Sequence, residues 1–352
     1  MPVLDTAALI NNRCEAIQKY HVEAGLPRAE LDVSGGIDSA TMLMLLAETL
    51  GPESVTAVYS SIHSSEASLQ RARLVAKAAD VRLIELDLTA VFDTVVQEAL
   101  TKVEKAGYDM TEIRGRMGEE DAVLGSLRSC IRAPIGRFLN RMTGAGIRHG
   151  TGNEDEDRWL RFYQKGGDGE VDTNPLAMLS KGEVYQLANA LHVPREILEA
   201  LPTPDLWGTG EAHNDEEELS KLSGVEWTYS RINPETGKYT RVGTIERLSR
   251  FLDYQFPAWF DSMCRINGGW LFASDKGHDE ISGPWEFNMN ALVREAMAFF
   301  PGCSADQVRA WLTSARKWER ITRHKMNPNC PTLGSRQELL DAGILTDELP
   351  EL

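Results

Sequence analysis

The hexapeptide Ser34-Gly35-Gly36-Ile37-Asp38-Ser39 stands between a short apolar run ending at Val33 and the apolar stretch ATMLMLLAETL. Its residue types suit a polyphosphate. Glycine lets the backbone approach an anion and adopt positive φ, serine hydroxyls donate hydrogen bonds, and a helix beginning there would aim its positive dipole end at the ligand. Asp38 is the one anionic member. A carboxylate beside a phosphate repels it unless a divalent cation lies between them, which points to Mg²⁺. Helix capping would by itself account for an aspartate here, but Ser39 could cap equally well, which favours the metal. The loop matches neither G-x-x-x-x-G-K-[ST] nor G-x-G-x-x-G, which argues against kinases, ATPase motors and hydride-transferring enzymes.

The elements around this loop read as an alternating α/β chain. After an amphipathic N-terminal helix, Ala29 to Val33 reads as a buried strand, and SVTAVYS (54 to 60) and VRLIELDL (81 to 88) as two more, flanking a helix near 65 to 79. Such alternation gives a parallel sheet with helices on its faces. Further helices are predicted from Val91 to Lys105 and, after a polar loop, from about Gly125 to Met142, kinked or restarted at Pro134. A fourth strand should lead into Gly150, followed by an irregular charged segment and a helix opening at Ser180. Loops at strand ends are where open α/β sheets bind ligands.

Beyond about Asp215 the composition changes: six of the eight tryptophans (Trp227, Trp259, Trp270, Trp285, Trp311, Trp318) fall there. Packing is the expected role of these rings, in preference to a ligand cage. Within this part, WTYSRI-NPETG-KYTRV reads as a hairpin.

The 352 residues carry a formal charge of −16, with 42% hydrophobic and 26% charged residues. Such a balance fits a soluble globular protein and argues against nucleic-acid or anionic-membrane partners, which demand a basic surface. A polyphosphate ligand would need local offset by Lys, Arg, backbone N–H groups or a metal. Five cysteines without C-x-x-C spacing suggest reduced thiols rather than a disulfide framework or a zinc site. No stretch has the length of a membrane span and the N-terminus lacks signal-peptide features, so a cytoplasmic location is expected.

With SGGIDS following a first strand, the chain resembles the pyrophosphate-loop (N-type) ATP pyrophosphatases, which include GMP, asparagine, argininosuccinate and NAD synthetases. The segment GTGNEDEDRWLRFYQKGGDGEVDTNPLAMLSKGEVYQLANALHVPREILEALPTPDLW narrows the resemblance. It is similar to the ammonia-dependent NAD synthetase signature of GT, Glu, F-x-x-K-x-GDG, Asp, NP, Lys and PTADL. RHK at 323 to 325 resembles that family's C-terminal basic motif, so the likeness runs from about residue 10 to 335, interrupted by an insertion between 230 and 310.

The resemblance implies a doubly wound, mainly parallel Rossmann-like sheet of the adenine nucleotide alpha hydrolase type. It further implies a core over 1–214, a Trp-rich insertion or subdomain over 215–315, and a C-terminal segment over 316–352 that completes the substrate site. The implied chemistry is a ligase reaction: the nicotinate carboxylate of deamido-NAD attacks ATP, and ammonia displaces AMP from the acyl-adenylate to give NAD. Positioning and neutralisation of phosphate charge would suffice for it. By this likeness Ser34, Gly35, Gly36 and Ser39 hold pyrophosphate, the whole loop with Ile37 and Asp38 binds ATP together with Thr151, Lys181 and Thr203, and Asp38 and Glu156 take Mg²⁺. Within the run GNEDED, whose bland reading is a solvated loop, Glu154 or Asp157 could stand in for Glu156. Lys181 in a helix's first turn opposes the dipole, an objection that a bound anion removes.

Lys165, Asp172, His324 and Lys325 match positions that bind deamido-NAD, with Asp172 near the pyridinium; His324 reads equally as a surface histidine. Asp38, Lys181 and Asp172 are the expected catalytic residues. A homodimer is implied. Free ammonia is the expected nitrogen source, unless a separate glutaminase supplies it.

Two positions depart from the family pattern. Cys130 stands where an Arg is expected, with Arg128 one helical turn before Arg132 as a replacement guanidinium, and Tyr59 stands where an Arg usually lies near ATP. These departures keep two rivals in view: a relative that amidates or thiolates a different acid, and a non-catalytic nucleotide-binding protein of the same fold.

Overall fold

The computed structural model describes residues 3–119, 121–203, 214–255, 289–322, 325 and 334–350. Helix α1 (Thr6–Ala24) begins where the Asp5 carboxylate accepts the Ala8 N–H, and ends at Gly25 in the left-handed region. Strand β1 (Ala29–Asp32) follows, then α2 (Ile37–Leu50), β2 (Val55–Ser61), α3 (Glu66–Ala78) and β3 (Leu83–Asp87). Next come α4 (Thr89–Lys105), α5 (Met110–Glu119), α6 (Asp121–Thr143) and β4 (Ile147–His149). All four strands are parallel, in the order β3-β2-β1-β4. The chain therefore winds outward from β1 through β2 to β3 and returns to the other side of β1 for β4. The reversal places a crevice at the carboxyl ends of β1 and β4, where the phosphate loop emerges.

Helix α2 is apolar nearly all round because it is covered nearly all round. Leu43, Leu45 and Leu46 are fully buried, and α1, α3, β1 and α7 (Lys181–Ala190) pack against it. Burial of those side chains stabilises the helix by about 1.5–3 kcal/mol each and fixes the loop at its N-terminus.

Two sequence expectations need correction. The polar stretch before α6 contains the helix α5. It rests on local signals instead of an apolar stripe: Asp109 accepts the Thr111 and Glu112 N–H groups, and Arg116 pairs with Glu112 at 2.7 Å. Of the kink or restart expected at Pro134, the restart does not occur, since α6 runs through it. The lost backbone bond is offset by packing on both sides of the proline, with Leu127, Ile131 and Ile135 against Phe92 and Ile62.

After the short helix α8 (Arg195–Leu198), α9 (Asp215–Ser223) and the antiparallel pair β5 (Arg231–Ile232) and β6 (Tyr239–Arg241) lead into α10 (Thr244–Gln255). Helices α11 (Met289–Ala296), α12 (Ala305–Thr322) and α13 (Arg336–Asp341) complete the described chain. A second core forms here around Trp227, Phe251, Leu252, Phe300, Trp311 and Leu312. Trp227 and Trp311 do pack as expected, their indole N–H groups donating to Ser223 Oγ and the Glu226 carbonyl. Trp259, Trp270 and Trp285 lie outside the described residues. Helix α12 passes unbroken through 315 and 316, so no linker separates those two residues.

The second core is tied to the first by buried charges. Arg250 on α10 reaches Glu154 at 3.3 Å and Glu183 at 2.9 Å, and Arg336 on α13 reaches Glu183 at 2.9 Å and Glu154 at 3.4 Å. No helix among the described residues is long and apolar enough to cross a membrane. Cys14, Cys130 and Cys303 are free thiols.

Candidate active site

Strand β1 delivers the loop after its last sheet bond, Val33 N–H to the Val58 carbonyl at 2.7 Å. Gly35 then takes φ +81°, and a Cβ there would lie 2.3 Å from the Ser68 carbonyl of α3, so the loop rests directly on that helix. The N-cap of α2 is Gly36, which makes no side-chain cap bond. Asp38 therefore does not cap the helix, and the first-turn N–H groups of α2 have no side chain from the cap position to satisfy them, as an anion site requires. Ser34 Oγ accepts the Gly36 N–H, and Ser39 Oγ donates to the Gly36 carbonyl. Ser34, Gly35, Gly36 and Ile37 line a cleft. Tyr185 and Thr203 line the same cleft, as do Ser68 and Arg71 from α3, the helix on which the loop rests.

Freed from capping, the Asp38 carboxylate turns toward α7. Its Oδ2 lies 2.6 Å from Lys181 Nζ, and its Oδ1 accepts from Asn153 Nδ2 at 3.0 Å. Lys181 Nζ lies 2.6 Å from Glu156 as well. Two carboxylates 118 residues apart thus converge on one point. Glu156 is carried by a π-helix, Glu154–Leu160, whose N-cap Asn153 accepts the Glu156 N–H. Lys181 opens α7, where Ser180 and Glu183 form the capping box and Asp155 accepts the Lys181 N–H at 3.0 Å.

Lys181 is 1% exposed. Burial alone would push its ammonium toward the neutral form; Asp38 and Glu156 outweigh burial and hold it well above its ordinary pKa. The Tyr229 ring covers it at 5.0 Å. Glu154 is fully buried with the arginines, and Asp157 accepts from Asn174, so within this acidic run Glu156 is the member that shares a cation with Asp38. Among the described residues no group of three or more His, Cys, Asp or Glu side chains is arranged to hold a metal. The Asp38 and Glu156 pair does fit Mg²⁺, which takes one or two carboxylates and draws its other ligands from phosphate and water.

The other predicted residues are carried by α6 and by segments outside the strands. Both carboxylate oxygens of Asp172 accept from one nitrogen of Arg137, Nη1, at 2.7 and 2.8 Å, and Oδ2 also accepts the backbone N–H of Arg148 at 2.8 Å. Arg128 is buried over the Phe92 ring at 5.3 Å, while Arg132 donates to the Ser60 carbonyl and to Ser64, at the end of β2. Lys165 is exposed, and Thr151 is half-buried just after β4. The Lys325 ammonium donates to the Arg161 and Tyr163 carbonyls, and Tyr163 Oη donates to the Lys325 carbonyl. His324 lies outside the described residues. Tyr59, in place of the expected Arg, is buried and hydrogen-bonded to Ser68 at 2.7 Å. Sequence reasoning missed Arg71, Asn153 and Tyr185. Only Asn153, adjacent to the GT motif, and Tyr185, one turn after Lys181, gave any signal.

A sequence model described as NAD synthase matches residues 9–231. The NH(3)-dependent NAD(+) synthetase of Alkaliphilus oremlandii is 32% identical over 211 residues, covering 60% of this chain and 79% of that protein. Its counterpart from Methanococcoides burtonii is 33% identical over 195 residues, covering 55% and 67%. The structure of NMN synthetase from Francisella tularensis superposes with a TM-score of 0.53 at 20% identity, over 63% of this chain and 87% of that one, which shows a shared fold. Since the matched span takes in the phosphate loop, Glu156, Lys181 and Thr203 together, this chain belongs to the NAD synthase family.

Proposed function

We propose that this protein amidates deamido-NAD with ammonia at the expense of ATP, producing NAD, AMP and pyrophosphate. The convergence of Asp38 and Glu156 on Lys181, beside a phosphate loop opening an uncapped helix, carries this reading. A nicotinate carboxylate oxygen attacks the α-phosphorus, the bond from that phosphorus to the bridging oxygen breaks, and pyrophosphate departs. Ammonia then attacks the acyl carbon; AMP leaves with the bonding electron pair and the nitrogen loses a proton.

Ser34, Ser39 and the N–H groups at the start of α2 hold the departing pyrophosphate, and Lys181, kept charged by its surroundings, faces the developing charge. Asp38 and Glu156 would hold Mg²⁺, which when bound neutralises phosphate oxygens. Thr151 and Thr203 contact ATP. Arg128, Arg132, Lys165, Asp172, His324 and Lys325 form the deamido-NAD side. Asp172 serves the positive pyridinium ring, once Arg137 shares it. The enzyme acts as a cytoplasmic homodimer with residues 215–315 as a subdomain, and takes ammonia free or from a separate glutaminase.

Incubation with ATP, Mg²⁺, ammonium and deamido-NAD should yield NAD, AMP and pyrophosphate in equal amounts, and chelation of the metal should stop all three. Pyrophosphate formed only with another acid would show the named substrate to be wrong. No pyrophosphate across a broad panel of acids would refute the enzymatic reading.

A further inference from the structure

Arg71 stands in the wall of the cleft, on α3 beside the phosphate loop. Its Nε donates to the Gly35 carbonyl at 3.0 Å, which fixes the plane of the guanidinium against the loop. The guanidinium carries five N–H donors, of which this bond uses one. Among the described residues no carboxylate pairs with it, in a chain whose formal charge is −16. Other arginines are otherwise engaged: Arg73, two residues on, is paired with Glu85 at 2.6 Å, and Arg231 bonds Tyr185, which also lines the cleft. The placement of Arg71 follows from packing. Tyr59 Oη and Ser68 Oγ tie β2 to α3, the Gly35 backbone lies on the Ser68 carbonyl, and Arg71 is three residues further along, on the same helical face.

We propose that Arg71 is a further ATP-binding residue, whose remaining guanidinium N–H groups take the phosphoryl oxygens seated on the Ser34–Ser39 loop. This rests on the ATP-cleaving function proposed above. Lys181 supplies a cation on the Asp38 side of the loop, and Arg71 supplies one on the Gly35 side. The two would therefore bracket the polyphosphate, and a planar fork suits bidentate contact with phosphate.

Arg71→Gln and Arg71→Lys separate charge from scaffold, because a glutamine amide can still donate to Gly35 but carries no charge. Calorimetric titration of the full chain with pyrophosphate, with Mg·ATP and with adenosine would read the effect. Arg71→Gln should weaken pyrophosphate and ATP by about 10- to 100-fold, Arg71→Lys should recover part of the loss, and adenosine affinity and the ligand-free melting temperature should stay unchanged. Arg71→Gln binding ATP as the parent does would overturn the role of Arg71 alone. An equal loss of adenosine affinity, or a fall in the melting temperature, would assign Arg71 to loop scaffolding instead. A parent protein that binds neither ATP nor pyrophosphate would overturn both this proposal and the function it rests on.

Discussion

The Lys181 ammonium lies 2.6 Å from the Asp38 carboxylate across a sequence separation of 143 residues, joining the first turn of α7 to the first turn of α2. An ammonium 1% exposed is tolerable only with such partners. The pair thus orients both helices as well as placing a cation beside the phosphate loop.

From this pairing, Asp38→Ala and Lys181→Met should differ in kind. Asp38→Ala leaves Lys181 its contact with Glu156, so stability should fall by only about 1–2 kcal/mol, while pyrophosphate release falls at least about 100-fold. Lys181→Met leaves two close carboxylates without their cation and should cost about 3 kcal/mol or more. Urea denaturation of both variants, beside a pyrophosphate-release assay, makes the comparison. Equal stability losses would remove the neutralising role assigned to Lys181, and unchanged turnover in Asp38→Ala would remove the metal role of Asp38.

His21 on α1 and His149 at the end of β4 pair, with their Nε2 atoms 2.9 Å apart. His21 Nδ1 faces the Leu26 carbonyl and donates to it, so its Nε2 accepts from His149. Burial pushes His149 down to about 3. Below an unfolded value of about 6.5 the unfolded chain therefore binds a proton that the native state refuses. Stability falls as pH drops, by about 1.4 kcal/mol per unit for this group. Glu30, raised to about 8 by burial and Asp32, acts in the opposite sense, so the parent curve alone does not isolate the pair. His149→Gln does: measured against the parent, its relative stability should rise by about 1 kcal/mol per unit between pH 6 and 4. Parallel curves would show that His149 takes up its proton in the folded protein.

Much of this site is legible in the chain because the relevant signals are local. The β1 run, the SGGIDS turn and the Ser180 and Glu183 capping box each lie within a few residues, and each has one structural solution. Arg71 was illegible: it sits on an amphipathic helix among other exposed cations, and only the docking of α3 on Gly35 gives it a role. Arg137, the partner of Asp172, likewise comes from a helix 35 residues earlier, with no periodic cue. Helix α5 escaped because polar pairs hold it, and those look like loop composition.

Gly35→Ala tests the contact between loop and helix. The substitution meets both a φ of +81° and a backbone oxygen 2.3 Å from the new Cβ, and neither yields by a rotamer change. The left-handed strain and the overlap together should cost about 2–4 kcal/mol. Because the loop must lift from α3 to relieve it, pyrophosphate binding should weaken in parallel. Gly36→Ala is the control, since its Cβ would meet only Ser34 Oγ at 3.4 Å and its φ is negative. Thermal melts and pyrophosphate titrations should therefore rank the Gly36 variant far nearer the parent, and the reverse order would contradict the loop geometry.

Glu183 and Arg336 make the last tie to be tested, since it couples the far C-terminal helix to the helix that carries Lys181. Burial would raise the Glu183 carboxyl, but the guanidiniums of Arg336 and Arg250 hold it below its ordinary value. Arg336→Met removes one of these cations from an enclosed cluster and should cost about 3–5 kcal/mol. Glu183→Gln leaves both arginines with Glu154, so it should cost a similar amount. The double variant should be less damaging than the sum of the two, with a coupling of about 1–3 kcal/mol, as guanidinium denaturation of all four proteins would read. Coupling also has a functional side: with the start of α7 loosened, the KM for ATP should rise more than kcat falls. Additive losses would mean that Arg336 acts only on the segment that follows its own helix, through the Thr346 carbonyl and Asp347.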